Sequence, residues 1–218
     1  MNQVSDTPLN SDKEPLSSAA EHILSAAARL FSEKGFAGCS MQDVAAAAGV
    51  SKANVFHHFG NKQGLYLAVI RGTIEEFGRR LSNLVHCPGS SSKRVEHVVS
   101  AHLQHLLKRR GETHLILREL FEAGPGVRSA VTPIIGGNFS QIVRMIADGQ
   151  ERGELDSGVD PASAAMLLVG GNIMFFMSSQ ILQSSLQYQS LSLPDSYADD
   201  VARIMLRGLS KCKSTDCE

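Results

Sequence analysis

The stretch Met41–Phe59, MQDVAAAAGVSKANVFHHF, sets two short helical segments on either side of one glycine, with four alanines running into it. Ser40 stands three residues ahead of Asp43 and offers a helix start, and Ser51 offers another. Gly49 falls between them, where a left-handed backbone conformation costs least. Two helices joined by so short a turn, crossing steeply, present the second one to the major groove of DNA only if they touch closely. Ala45 permits that contact, Val50 plugs the inner side of the turn, and Val55 faces back from the second helix. Lys52, Ala53, Asn54, His57 and His58 are left for the outer surface. The same spacings also describe an ordinary helical hairpin, because alanine is a good helix former and glycine a normal helix end. Spacing alone leaves both readings open.

Upstream, residues 1–16 are polar with two prolines and too few apolar anchors to offset the entropy of ordering, so they read as a tail. Ser18 and Glu21 form a capping box, followed by Ile23, Ala27, Leu30 and Phe31 at helical spacing, and Lys34 with Gly35 closes that helix. Downstream, a longer pattern starts at Asn61 and runs through Leu65, Val69, Ile70, Ile74 and Phe77 towards Val85, where HCPGSSS interrupts it. Further helical segments are expected near 93–109, 113–123, 127–152, 161–186 and 194–211, separated by GPG, SGVDP and LSLP. No strand alternation or internal repeat stands out, so the chain reads as all-α.

With 218 residues the chain has room for one large domain or two unequal ones. Lys and Arg number 21 against 22 Asp and Glu, which excludes a protein that holds polyanions by bulk charge. Cys39, Cys87, Cys212 and Cys217 lie far apart or in the tail and form no CxxC, a usage suited to a reducing cytosol, although Cys212 and Cys217 are close enough in sequence to pair. No signal-peptide core is present, and the longest nearly apolar run, residues 164–177, is shorter than the roughly 20 residues of a membrane span. These features lead us to expect a soluble cytoplasmic protein with no membrane partner.

The segment AAEHILSAAARLFSEKGFAGCSMQDVAAAAGVSKANVFHHFGNKQGLYLAVI resembles the N-terminal DNA-binding domain of the tetracycline-repressor (TetR) family of bacterial transcription regulators. Its marks are the ARLFSEKGF helix end, the QDVAAAAGVSKANVFHHF helix-turn-helix and the NKQGLYLAV start of the next helix. The resemblance implies a tail over 1–16, a DNA-binding domain over 17–62, an effector-binding and dimerisation domain over 63–212 and a second tail over 213–218. It also implies that Ser40 caps the second helix near a phosphate, with Gln42 beside it, and that residues 51–58 form the recognition helix. Lys62, at the positive amino end of the following helix, would meet a phosphate. Tyr is frequent in the family where this chain has Phe56, so the phosphate-bonding hydroxyl is missing and Phe56 is expected to serve by packing. Groove chemistry allows Asn54 a bidentate contact to adenine and Lys52 a contact to guanine or phosphate. Residues 17–62 carry four basic side chains, Arg29, Lys34, Lys52 and Lys62, against Glu21, Glu33 and Asp43, a net charge of only +1. One copy should therefore bind DNA feebly, and two copies on two half-sites are expected.

Where the second copy would attach is suggested by AAMLLVGGNIMFFM, residues 164–177, which is apolar around nearly all faces. Met166, Gly170, Met174 and Met177 from this helix, with Val201, Ile204, Met205 and Gly208 from the last one, are the candidate homodimer interface. Both helices would equally suit the core of a monomer. Apolar side chains of the middle helices, Leu103, Leu106, Leu107, Phe121, Phe139 and Phe176, are candidates to line a pocket for a largely apolar or amphipathic effector. Arg118, Asn138 and Asn172 are its candidate polar anchors, and plain core is the competing reading. His97, His102, His105 and His114 invite a metal reading, yet no carboxylate or cysteine completes a set at ligand spacing, so no metal or cofactor is expected. Glu119 and Glu122 beside Arg118 read as a solvated helix face with local ion pairs, and no nucleophile with its base is found, so catalysis is not expected.

The expectation is thus a ligand-released repressor that binds a palindromic double-stranded operator as a homodimer, the helix from Asn61 coupling effector site to DNA-reading heads. A DNA-organising or protein-responsive factor without an effector, and a helical-bundle enzyme, are the alternatives.

Overall fold

The computed structural model describes residues 18–122, 125–184 and 193–209. Cys212 and Cys217, whose pairing the sequence raises, lie outside them. Among the described residues the fold is all α, with nine helices: α1 Ser18–Gly38, α2 Met41–Ala48, α3 Lys52–Phe59, α4 Lys62–Val85, α5 Ser91–Lys108, α6 Arg110–Glu122, α7 Pro125–Glu151, α8 Pro161–Gln183 and α9 Pro194–Gly208.

Local chemistry sets the boundaries of the first four. α1 is described from Ser18 onward, so the capping box expected at Ser18 and Glu21 falls at the edge of the described residues. Gly35, at φ 70° and ψ 173°, breaks the helix and leaves a short turn to Gly38. At α2 the Ser40 hydroxyl accepts from the Asp43 amide at 3.1 Å and the Asp43 carboxylate accepts from the Ser40 amide at 2.9 Å, a complete capping box. Gly49 ends α2 in the left-handed region at φ 68°, its amide donating to the Ala45 and Ala46 carbonyls. Ser51 caps α3 through the Asn54 amide at 3.1 Å, and Asn61 caps α4 through the Gly64 amide at 2.8 Å.

Two apolar clusters form the core, and α4 runs through both. The first joins Ile23, Leu30 and Phe31 of α1 to Val44, Val55 and the first half of α4, and takes in Leu115 of α6 and Val131 of α7. The second begins at Phe77 and Leu81 of α4 and gathers α5, α7, α8 and α9 around side chains such as Val98, Ile146 and Leu168. Apolar packing therefore continues from the helix-turn-helix into the larger bundle without a break at residue 62.

The apolar run ending at Met177 extends further than expected. Residues 161–182 of α8, 22 in all, are long and apolar enough by length and composition to cross a bilayer. One side of α8 packs in the second cluster through Ala164, Ala165, Leu168 and Phe175. Its other side carries Met166, Leu167, Met174, Met177 and Ile181 outward, and Ile204 of α9 is 70% exposed.

Candidate nucleic-acid interface and ligand cavity

The close contact the turn requires is present. Ala45 and Val44 are each 1% exposed and Val55 is fully buried, so α2 and α3 meet through one small residue and two valines. Val50 packs against the same cluster from the turn. Outward from this contact, Lys52, Ala53, His57 and His58 are exposed and Asn54 is half-buried at the first turn of α3. A shallow groove brings Ser40, Gln42, Lys52, Phe56 and Lys62 together between the ends of α1, α2 and α3.

Phe56 lines this groove. Its ring is 41% exposed, with the Lys52 ammonium 5.8 Å from the ring centre. Lys62 donates from Nζ to the Ala37 carbonyl at 3.3 Å and sits 4.5 Å from the centre of the Phe36 ring, so its charge is held at the groove. The Ser40 hydroxyl also donates to Asp43 Oδ2 at 2.7 Å, and its hydrogen bonds hold the Asp43 carboxyl below its ordinary pKa. A negative charge thus stands at the positive amino end of α2.

A half-open cavity of about 150 Å³ lies in the larger bundle, walled by α4, α5, α6, α7 and α8. Leu106, Asn138 and Phe139 line it, as the sequence suggested. The other candidates sit elsewhere. Leu103 and Phe176 are buried in packing away from the cavity, Leu107 packs at the edge of the second cluster, and Phe121 is 72% exposed. Arg118 donates to the Tyr66 hydroxyl at 3.0 Å, and that hydroxyl donates to Glu119 Oε1 at 2.7 Å. Burial first, and then Glu119, push the Tyr66 pKa up to about 12, so the phenol keeps its proton. Arg118 and Glu119 therefore serve to clamp α6 to α4.

Asn172 lies behind the cavity wall. Its Nδ2 donates to the Val99 carbonyl at 2.9 Å and meets His102 Nδ1 at 3.1 Å, while its Oδ1 is buried without a hydrogen-bond partner among the described residues. Thr73, Ile74, Phe77, His102, His105 and Thr113 line the cavity and were not foreseen as lining. The one available signal was the spacing of His102 and His105, three apart on one helix face. Burial lowers the pKa of both rings, that of His102 to about 4, so both are neutral near pH 7. Among the described residues no three His, Cys, Asp or Glu side chains gather as metal ligands.

At the candidate interface Met166, Gly170, Met174, Met177, Ile204 and Gly208 are exposed, whereas Val201 and Met205 are partly covered by the second cluster. Leu167 and Ile181, not anticipated, extend the exposed apolar face along α8.

A closely packed helix pair with a polar outer helix, continuous through α4 with an all-α body, fits a helix-turn-helix DNA-binding protein. Residues 23–69 match the model of the family described as bacterial regulatory proteins, tetR family. Over 60 residues the chain is 42% identical to the HTH-type transcriptional regulator RutR of Escherichia coli (strain K12), a match covering 28% of each chain. Solved structures carry the likeness across the fold. FadR from Bacillus subtilis in complex with stearoyl-CoA aligns with a TM-score of 0.73 and 17% identity, over 87% of this chain and 99% of that one. AibR in complex with isovaleryl coenzyme A and operator DNA aligns with a TM-score of 0.67 and 22% identity, over 87% and 98%. Residues 23–69 are thus similar to the DNA-binding domain of the tetR family, and the chain is a DNA-binding transcriptional regulator.

Proposed function

We propose that two copies of the chain bind an inverted-repeat operator in the cytoplasm, each placing α3 in a major groove, and that a small, largely apolar or amphipathic molecule in the cavity releases them, so that the protein acts as a repressor. Residues 17–62 read the DNA and residues 63–212 hold the effector and the partner copy. Asn54 and Lys52 supply the base contacts, with Ala53, Phe56, His57 and His58 bordering the groove floor. Ser40, Gln42, Ser51 and Lys62 hold the backbone, helped by the amino end of α4. The outward apolar face of α8, continued by Ile204 and Gly208 of α9, meets its symmetry copy in a four-helix contact.

One observation carries the ligand response. Ile74, Ile116, Leu120 and Ile135 line the cavity and also belong to, or pack against, the apolar cluster of the helix-turn-helix. Whatever fills the cavity presses on side chains that seat the DNA-reading unit. The complexes of FadR with stearoyl-CoA and of AibR with isovaleryl coenzyme A and operator DNA support a bundle of this kind answering to a small molecule.

Selection of bound duplexes from random DNA tests the reading. Recovered sites should be inverted repeats, and sedimentation should find at least two chains on each duplex. Met174→Asp, which sets a charge in the proposed interface, should lower site affinity at least tenfold while leaving the monomer folded. Unrepeated sites bound equally well by single chains would overturn it.

A further inference from the structure

One side chain on the DNA-reading face has no polar task there. The ring of Phe56 is 41% exposed, and every other exposed large apolar side chain among the described residues lies on α6, α8 or α9 or at Leu193 ahead of α9. A single phenyl in water is ordinary on a protein surface, so exposure alone assigns nothing. Its neighbours are what mark it. Phe56 shares its groove with Ser40, Gln42 and Lys62, and Lys52 stands one turn before it on α3 with its ammonium 5.8 Å from the ring centre. These four side chains are the ones proposed to hold or read DNA, so a duplex seated on α3 covers the ring as well. The inference rests on that reading of α3.

The chemistry of the ring narrows what it meets. A phenyl group has no hydroxyl or amine to donate to a phosphate. Laid against a hydrogen-bonding edge of guanine, adenine or cytosine, it would strip water from a donor or acceptor and put nothing in its place, which is costly. In the major groove thymine alone among the four bases presents an apolar group, its C5 methyl.

We propose that Phe56 is a specificity-determining residue, its ring packing on the C5 methyl of one thymine in each half-site. The hydroxyl that a tyrosine would bring to the backbone is absent, and position 56 passes from holding the duplex to reading it. An α-helix advances ~1.5 Å per residue and B-DNA ~3.4 Å per base pair, so this thymine lies within about two base pairs of the position read by Asn54.

The test uses the full-length protein and the inverted-repeat duplex recovered by selection. Each thymine is replaced in turn, in both half-sites together, by deoxyuridine, which keeps the pairing and the O4 acceptor and lacks only the methyl. Affinity is read by fluorescence anisotropy. A buried methyl is worth about fourfold, so loss of the symmetric pair should weaken binding roughly fifteenfold at one position beside the Asn54 base. Cytosine at that position, paired with guanine, should cost more than uracil, because its amino group is left against the ring. Phe56→Ala should bind the thymine and uracil duplexes equally. Phe56→Gln, also a good helix former, gives the same comparison if circular dichroism shows the alanine variant unfolded. The methyl contact alone is overturned if no thymine in that window responds to loss of its methyl, or if the response persists unchanged in Phe56→Ala, which gives the methyl to another side chain. It is likewise overturned if Phe56→Ala weakens every duplex alike and the methyl has no effect, which sets the ring against deoxyribose. If Lys52→Ala, Asn54→Ala and Phe56→Ala all bind the selected duplex as the parent does, α3 does not read the DNA, and the proposal falls together with that reading.

Discussion

Replacing His102 by glutamine should flatten the acid limb of this protein's stability curve. Burial lowers the ring's pKa from the ordinary 6.5 to about 4, and the neighbouring His105 adds a smaller like-charge effect. In the unfolded chain the ring protonates near 6.5, so between there and about 4 the unfolded state binds the extra proton. The contribution is therefore complete above pH 6.5 and is lost as pH falls through 4. Each pH unit between the two values is worth ~1.4 kcal/mol, which makes the total about 3 kcal/mol. His105 titrates too, under the influence of burial, Glu76, the Thr73 backbone, Arg109 and Arg80, but it is present in both proteins and drops out of the comparison. Glutamine still offers Asn172 an acceptor and does not titrate. Urea unfolding of parent and variant, followed by far-ultraviolet circular dichroism at pH 7 and pH 4, gives the difference directly. The parent should lose about 3 kcal/mol more than His102→Gln over that interval. Equal losses would mean that the ring is hydrated or charged in the folded state.

Three further perturbations address other parts of the fold. A Cβ on Gly111 would lie 2.4 Å from Ser32 Oγ and 2.5 Å from Ser32 Cβ, so Gly111→Ala should force α6 away from α1. The overlap should cost ~1–3 kcal/mol, exceeding the ~0.5–1 kcal/mol gained in helix propensity, and Ser32→Gly in the same chain should relieve it, both measurable by denaturant unfolding. Ala45→Leu should overfill the contact between α2 and α3 at a cost of ~1–3 kcal/mol and abolish operator binding in an anisotropy titration, leaving the larger bundle helical by circular dichroism. Asn54→Ala should relax preference at one base pair by ~1–3 kcal/mol, whereas Lys62→Ala should weaken all duplexes alike and reduce the salt slope by about 0.9, so identical behaviour of the two would refute their separate roles.

The parts legible in the sequence are those written in local backbone chemistry. Ser40, Asp43, Gly49, Ser51 and Asn61 each act within a few residues of themselves, and caps and a left-handed glycine look alike in every context. The later helices were bounded by GPG, SGVDP and LSLP for the same reason. What the chain did not disclose was which apolar positions face a void and which face a neighbour. Leu106 lines the cavity while Leu103 on the same helix is core, and Phe121 projects into solvent although its spacing continues the stripe of α6. Periodicity finds a face, but which helix covers it is set by crossings such as the close approach of Gly111 to Ser32. Thr73 and Phe77 escaped notice because α4 reads as one continuous stripe, although its second half changes partners after Ile74. Arg118 looked like a ligand anchor because no pattern in its own helix points to Tyr66, 52 residues away in the chain.

That contact changes the view of how ligand and DNA are linked. The sequence suggested α4 alone as the rod between the two units. In the structure α6 reaches the helix-turn-helix independently, through Leu115 in its core, through Ile116 and Leu120 against it, and through Arg118 and Glu119 on Tyr66. Both helices also wall the cavity, so a ligand there touches two levers at once. The energy required is small. A tenfold change in operator affinity needs about 1.4 kcal/mol of difference between the DNA-bound and released arrangements. Burying four methyl or methylene groups of an apolar ligand is worth ~3 kcal/mol at about 0.8 each. Roughly half of that, if it were realised only in the released arrangement, would suffice.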